Sequence, residues 1–371
     1  MSDIDEPTVD AHNPGTPWRR DPDEITARLQ RWVEHVHGVD ARVVDVGAPG
    51  NGLSSETVLF GVQAADGLVE RFAARLAPLP DVYPVFPTYD LRKQQQCMDL
   101  VRAHTSVPTP VVTACELDPQ WLGTPFLVMR RIDGEAPPDL PPYVFGGWVM
   151  DATPEQQARL QQGAVDVLAG LHELTAERID LSFLARPHLG DTPLRQLLGY
   201  EHEYYEWARD RVRYPLIEAT FAWLEDRFPT ESRAVLNWGD ARIGNMLFVD
   251  FAPTAVLDWE MAGVGPAEVD LAWMIFLHRF FADLAERFEM PGIPGFMEPL
   301  DVVTAYERAT GTVVRDLEWF EVFAALRFAI VSVRTSTRGI AYGQMEPPSD
   351  PDDLVMFRAV LEGMLRRDSG P

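Results

Sequence analysis

Apolar positions recur at two different spacings along this chain. In residues 24–38, Ile25, Leu29, Trp32, Val33 and Val36 fall on one face at helical spacing and predict an amphipathic helix. Over residues 43–46, 58–62 and 70–76 the spacing drops toward two, and these runs read as strands. In the last of them Phe72, Ala74 and Leu76 alternate with Arg71, Ala73 and Arg75. Residues 91–104 return to helical spacing, and Val107-Pro108-Thr109-Pro110 stops them. Residues 111–116 and 126–132 add two further strands. The proline-rich stretch 133–143 suits a connector or surface loop. After it, helical spacing dominates over 154–174, 192–228, 266–281, 302–309 and 317–334. One hairpin interrupts the helices, with apolar runs 246–249 and 255–257 around a turn at 250–254.

This order predicts an α+β fold with two unequal lobes. Residues 1–23 read as a disordered acidic tail, 24–132 as a small β-rich N-lobe, and 133–371 as a larger helical C-lobe carrying the hairpin. At 371 residues the chain is long enough for two cores.

Charge narrows the function classes. The chain has 57 acidic against 32 basic residues, a net charge of -25, which argues against nucleic acid or an anionic membrane as partner. Cys97 and Cys115 are its 2 cysteines and form no disulfide framework or metal cluster, so a reducing, cytoplasmic setting is expected. No run approaches the roughly 20 apolar residues that span a bilayer. The first residues lack the apolar core of a signal peptide. Oligomeric state is left open.

The chemistry concentrates in Asn237-Trp238-Gly239-Asp240-Ala241-Arg242-Ile243-Gly244-Asn245 and in Leu257-Asp258-Trp259. The predicted hairpin sets Asn245 beside Asp258. Phosphoryl transfer needs held phosphates, neutralised charge and an aimed acceptor hydroxyl. Asp240 is the candidate base or orienting acceptor. Asn245 and Asp258 are candidate Mg²⁺ ligands, since that ion favours hard oxygen donors. The plainer alternatives are a loop Asp closing a turn and a hairpin capped by polar residues. The three together favour the chemical reading. The glycine-rich loop 47–55 offers Ser54 and Ser55 to phosphates, although its pattern is not G-x-G-x-x-G and a simple turn is the alternative. Arg75 on the third strand is a candidate phosphate contact or a solvent-facing strand residue. Asp270 is read as bracing the catalytic loop, and His172 as a satisfied helix residue. Glu201, Glu203, Glu206 and Asp210 read as an exposed helix face, with a cation site as the alternative.

At these residues the chain resembles the aminoglycoside phosphotransferase and choline kinase-like superfamily. More narrowly, it is similar to actinobacterial phosphotransferase-family proteins related to the kinase-like part of certain acyl-CoA dehydrogenases. The resemblance runs over residues 43–325 and is strongest over 238–273. It implies a bilobal protein-kinase-like fold and an ATP-dependent, Mg²⁺-assisted O-kinase acting on a small hydroxylated molecule, with the N-lobe clamping the nucleotide. It makes Asp240 the catalytic Asp and Asn245 and Asp258 the metal ligands. Arg75 stands where the family has a phosphate-binding Lys, and Gln94 where it has the partner Glu. Residues 126–132 match the hinge, whose backbone contacts adenine near Met129 to Arg131. Arg242 has two readings: it stabilises transferring charge or an anionic substrate group, or it braces the loop against a nearby acid. Trp238 replaces a scaffolding His and is expected to pack without hydrogen-bonding. The acceptor is expected near 141–150 and 200–207. The substitutions at Arg75, Gln94 and Trp238 keep a second function open, a catalytically weak nucleotide-binding regulatory module (a pseudokinase).

Overall fold

Asp21 starts the first helix. Its carboxylate accepts from the amides of Asp23 and Glu24, and Pro22 occupies the first turn of α1 (Pro22–His37), where a missing N–H costs nothing. The expectation of a tail through residue 23 therefore overruns the helix start. Arg20 already donates to the Ala77 carbonyl and the Thr124 hydroxyl. The structure is a computed structural model that describes residues 20–48, 56–79, 82–230 and 232–367. These fall into two compact units. One holds the residues up to Gln95, Pro110–Arg131 and Arg334–Ser349; the other holds Gln96–Thr109, Ile132–Val333 and the residues from Asp350 on.

The first unit is built on an antiparallel sheet. Its strands are β1 (Arg42–Gly47), β2 (Glu56–Gln63), β3 (Val69–Leu76), β4 (Val112–Glu116) and β5 (Phe126–Arg130), in the order β1-β2-β3-β5-β4. Helix α2 (Leu91–His104) separates β3 from β4 in the chain. The alternation read from the sequence is the alternation of burial over Arg71 to Ala74 and breaks at Arg75, which is buried beside Ala74 and Leu76. Phe72, Ala74 and Leu76 join Phe60, Val128 and Phe126 beneath Ile25, Leu29, Trp32 and Val33 of α1. Trp32 meets Phe126 edge to face at 5.4 Å.

The second unit is mostly helical. Prolines mark its helix starts: α3 (Pro154–Leu171), α4 (Pro193–Ala208), α5 (Pro215–Asp226) and α7 (Pro299–Thr310) each begin on one. Thr153 and Gln156 close a capping box at α3. Helix α6 (Glu268–Arg287) is buried at every position from Glu268 to His278, which marks it as the core of this unit. Helix α8 (Leu317–Ala341), which belongs to this unit as far as Val333, and α9 (Arg358–Arg366) complete the helical set. The four short strands are β6 (Ala234–Asn237), β7 (Met246–Val249), β8 (Ala252–Val256) and β9 (Gly263–Pro266), paired as β6–β9 and β7–β8.

The α+β class holds, with a β-rich first unit and a helical second one. Several details differ from the sequence reading. The strands β6 and β9 and helix α9 were not anticipated. Helix α6 runs on to Arg287, with Leu284 and Ala285 continuing its apolar spacing between charges, and α8 runs on to Ala341 through the polar residues 335–338, which carry no apolar period. The hairpin turn shrinks from five residues to Asp250 and Phe251, both left-handed (φ 49° and 63°), the two-residue geometry that matches strand twist. No helix among the described residues is long and apolar enough to cross a membrane.

Candidate active site

The site grows out of a closed loop. Asn237 at the end of β6 pairs with Gly263 at the start of β9, so the chain leaves and returns at one place. Between them β7 and β8 pair from Met246 opposite Val256, and the Leu257 amide donates to the Asn245 carbonyl at 2.8 Å. Backbone pairing thus sets residues 245 and 257 side by side, with Asp258 next in the chain. Asp258 itself is left-handed at φ 61°, an uncommon conformation for a residue with a β-carbon and one that clusters at functional sites. Gly239 is left-handed too, at φ 91°, and an added Cβ would lie 2.0 Å from the Met261 carbonyl oxygen. Only glycine fits there.

Asp240 follows that turn, and three side chains fix its carboxylate. Trp273 Nε1 donates to Oδ1 at 2.8 Å, Asn245 Nδ2 donates to Oδ2 at 2.6 Å, and Arg242 Nε reaches both oxygens at 3.1 and 3.3 Å. Asn245 Nδ2 also donates to the Asp240 carbonyl at 3.1 Å. With its N–H₂ spent on Asp240, the amide of Asn245 keeps its oxygen for another partner. The Asp240 side chain stays 16% exposed, so it is held and still reachable.

Arg242 has a second acid, Asp139, bound through Nη1 at 2.6 and 2.7 Å. Burial disfavours its charge, but Asp240 and Asp139, with Asp258 adding to the field, outweigh that and push its pKa above the usual arginine value. Of its two sequence readings, the brace against a nearby acid is the one the geometry displays. Asp139 escaped the sequence reading. It sits in the proline-rich stretch taken for a connector, and a partner 103 residues away leaves no local pattern.

One helical turn anchors the loop. Asp270 near the start of α6 accepts from the Trp238 amide at 2.6 Å and the Gly239 amide at 2.9 Å. Trp273, on the same face at i+3, takes Asp240. Asp270 is itself held by His172 Nε2 at 3.3 Å, whose Nδ1 lies 2.7 Å from the Tyr306 hydroxyl. His172 is a satisfied structural residue, as its helical setting suggested. Trp238 departs from expectation: it packs with no exposed surface and also hydrogen-bonds. Its Nε1 donates to the carbonyls of Leu257 at 2.8 Å and Asp258 at 3.1 Å, tying the loop to the strand end that carries Asp258.

Beside Arg242, a small cavity is lined by Tyr143, Met274, Leu277, His278, Phe281 and Met297. His278 Nδ1 lies 2.8 Å from the Tyr143 hydroxyl, and burial pushes its pKa from 6.5 down to about 4. An unfolded chain binds that proton first. The stability from His278 is therefore complete above pH 6.5 and is lost as pH falls through about 4, on the order of 3 kcal/mol for this group. Urea unfolding between pH 7 and 4 should show a shallower acid limb for His278→Gln than for the parent. Identical limbs would contradict this.

The remaining candidates lie in the first unit. Arg75, on the central strand β3 between Thr57 and Leu127, is 9% exposed, which excludes the solvent-facing alternative. Gln94 on α2 is buried, and its Nε2 finds no hydrogen-bond partner among the described residues. Met129 is half-buried on β5. Arg131 is exposed just past it, and its amide donates to the Arg71 carbonyl. Ser54 and Ser55 lie outside the described residues. In the second unit, the acidic face read over residues 201–210 divides, with Asp210 already past the end of α4. Glu203, Glu206 and Asp210 are exposed, whereas Glu201 is buried and paired with Arg327 at 3.2 Å.

Comparison with known proteins bears on the family and the fold. A probable acyl-CoA dehydrogenase of Arabidopsis thaliana, IBR3, is 25% identical over 302 residues, covering 77% of this chain and 35% of its own length. The chain spans about a third or less of the curated relatives it matches. Among solved structures, a thermostable mutant of aminoglycoside phosphotransferase APH(4)-Ia, in ternary complex with ADP and hygromycin B, superposes with a TM-score of 0.57 at 15% identity. The match covers 92% of this chain and 99% of that one. The macrolide 2'-phosphotransferase MphH of Brachybacterium faecium superposes with a TM-score of 0.55 at 18% identity, covering 86% and 98%. At these identities the two structures establish the kinase-like fold of such phosphotransferases. The model of the phosphotransferase enzyme family (APH) matches residues 45–296, well over half of the chain, and the chain belongs to that family.

Proposed function

We propose that this protein is an ATP-dependent, Mg²⁺-assisted O-kinase that moves the γ-phosphoryl group to a hydroxyl of a small molecule. The observation that carries the reading is the 2.6 Å contact between Asn245 and Asp240 together with the backbone pairing that sets Asn245 beside Leu257, the residue before Asp258. A carboxylate accepts at about four lone-pair sites. Trp273, Arg242 and Asn245 engage both oxygens of Asp240, the Arg242 Nε–H shared between them at 3.1 and 3.3 Å, and an acceptor hydroxyl would be received and aimed in place of that shared contact.

The donor set suits Mg²⁺. Among the described residues no group of three or more His, Cys, Asp or Glu side chains is placed to hold a metal. An amide oxygen at Asn245 and a carboxylate at Asp258 are the one or two protein oxygens that this ion takes when phosphates supply the rest. When bound with the nucleotide, the ion offsets charge on the phosphoryl group in transfer. Within the first unit, Arg75, Gln94 and the backbone at Met129 to Arg131 are proposed as nucleotide contacts. A cytoplasmic setting fits such an activity.

The test uses purified protein with ATP and Mg²⁺. It follows ADP release and product phosphorylation over a panel of amino alcohols, sugars, aminoglycosides and hydroxyacyl compounds. Transfer to one class supports the reading. Mg²⁺ alone should leave the melting temperature unchanged, and Mg²⁺ with ATP should raise it, because two protein ligands hold the ion weakly without phosphates. Nucleotide binding without transfer to any acceptor would leave the regulatory-module reading, and neither binding nor transfer would remove both.

A further inference from the structure

Trp273 hydrogen-bonds Asp240 and is covered on its face by a buried cation. Arg327 of α8 places its guanidinium carbon 4.6 Å from the Trp273 ring centroid and 5.8 Å from that of Phe323. Its Nε donates to Glu201 of α4 at 3.2 Å, and the side chains of this pair are 6% and 5% exposed. Arg327 Nη1 is buried and has no hydrogen-bond partner among the described residues. A buried guanidinium nitrogen without an acceptor is costly. The ring face of Trp273 is the group that receives this charge.

We propose that Arg327 and Glu201 are positioning residues for phosphoryl transfer, setting the Trp273 indole so that its N–H fixes the plane of the Asp240 carboxylate. The proposal rests on the kinase reading above. The chain of contacts is short and directional. Glu201 orients the planar fork of Arg327, and the fork stacks on the indole. The indole edge then points its N–H at Oδ1 of Asp240. Nothing in the ion pair touches the reacting atoms. Its effect is confined to the angle at which Asp240 meets the acceptor, and small errors there are expensive: misplacement by about 1 Å can cost about 100-fold in rate. This also accounts for the burial of Glu201 on a helix whose other acids face solvent. Burial raises the Glu201 carboxyl against the pull of Arg327, which is tolerable only while the pair stays intact.

The experiment has two arms. Removing Arg327 alone strands a buried carboxylate, so the working variant replaces both members, Glu201→Gln with Arg327→Met, and Arg327→Lys is the conservative partner. In ¹⁵N-labelled protein, the indole N–H resonance that vanishes in Trp273→Phe should move in Asp240→Asn and in the double replacement, and return part-way in Arg327→Lys. In the kinetic arm, Trp273→Phe should lower kcat about 10- to 100-fold with nucleotide KM unchanged. The double replacement should lower kcat about 10-fold alone and no further in the Trp273→Phe background. An indole resonance indifferent to the double replacement would overturn the proposal. So would kcat losses that simply multiply, or a fall in kcat matched by a rise in nucleotide KM. If the parent protein transfers no phosphate to any acceptor, the kinase reading fails by itself, and the resonance arm still decides whether the ion pair places Trp273.

Discussion

Asp240→Asn should reduce kcat by about 10²- to 10⁴-fold, the range for losing a positioned proton acceptor. The nucleotide-induced rise in melting temperature should survive. The substitution changes little in shape and much in polarity. Asn245 Nδ2 donates to Oδ2 of Asp240 at 2.6 Å, so a new side-chain N–H₂ at that oxygen position would face another donor. If the amide flips to avoid this, the same clash arises at Trp273 Nε1. Arg242 would also lose one of its two carboxylate partners and keep only Asp139. Initial rates with the best acceptor of the panel, beside a thermal-shift titration with Mg²⁺ and ATP, make the comparison. A variant within tenfold of the parent would remove Asp240 from the reaction.

Trp238→Ala should cost about 3–5 kcal/mol of folding stability, the usual penalty for deleting a large aromatic from a close-packed interior. Trp238 has no exposed surface and packs 6.2 Å from Trp259, and it holds two carbonyls that would lose their donor. Urea unfolding gives the number. A loss below about 1 kcal/mol would mean that the interior is not closely packed around the indole. Trp238→His should lose much less, since an imidazole N–H can still donate toward Leu257, even though its smaller ring leaves a void.

These two residues show how far the sequence could be read. Asp240, Asn245 and Asp258 were visible because their spacing is local: a loop, a hairpin and its end lie close together in the chain. Much of the architecture was visible for the same reason, since helical and strand periodicities are local properties. What escaped is non-local. Asp139 and Arg327 gain their meaning from partners more than a hundred residues away. Glu201 looked like part of a solvated face because its burial comes from α8, not from α4. The strands β6 and β9 have four residues each and carry no alternation long enough to distinguish from loop. Trp238 was read by its ring and not by its N–H. Its partner carbonyls are backbone, and backbone acceptors leave no mark in a sequence.

The Asp270 clamp has a mechanical corollary. Its two acceptor bonds go to peptide nitrogens, and every residue except proline supplies one. The main chain at residues 238 and 239 therefore takes part of its course from α6, alongside the left-handed turn that Gly239 alone permits. The hold of α6 on the main chain is independent of the side chain at position 238, while the buried Trp238 indole adds a second hold of its own. A small shift of α6 would thus carry the backbone of residues 238 and 239 with it, whichever side chains they bear.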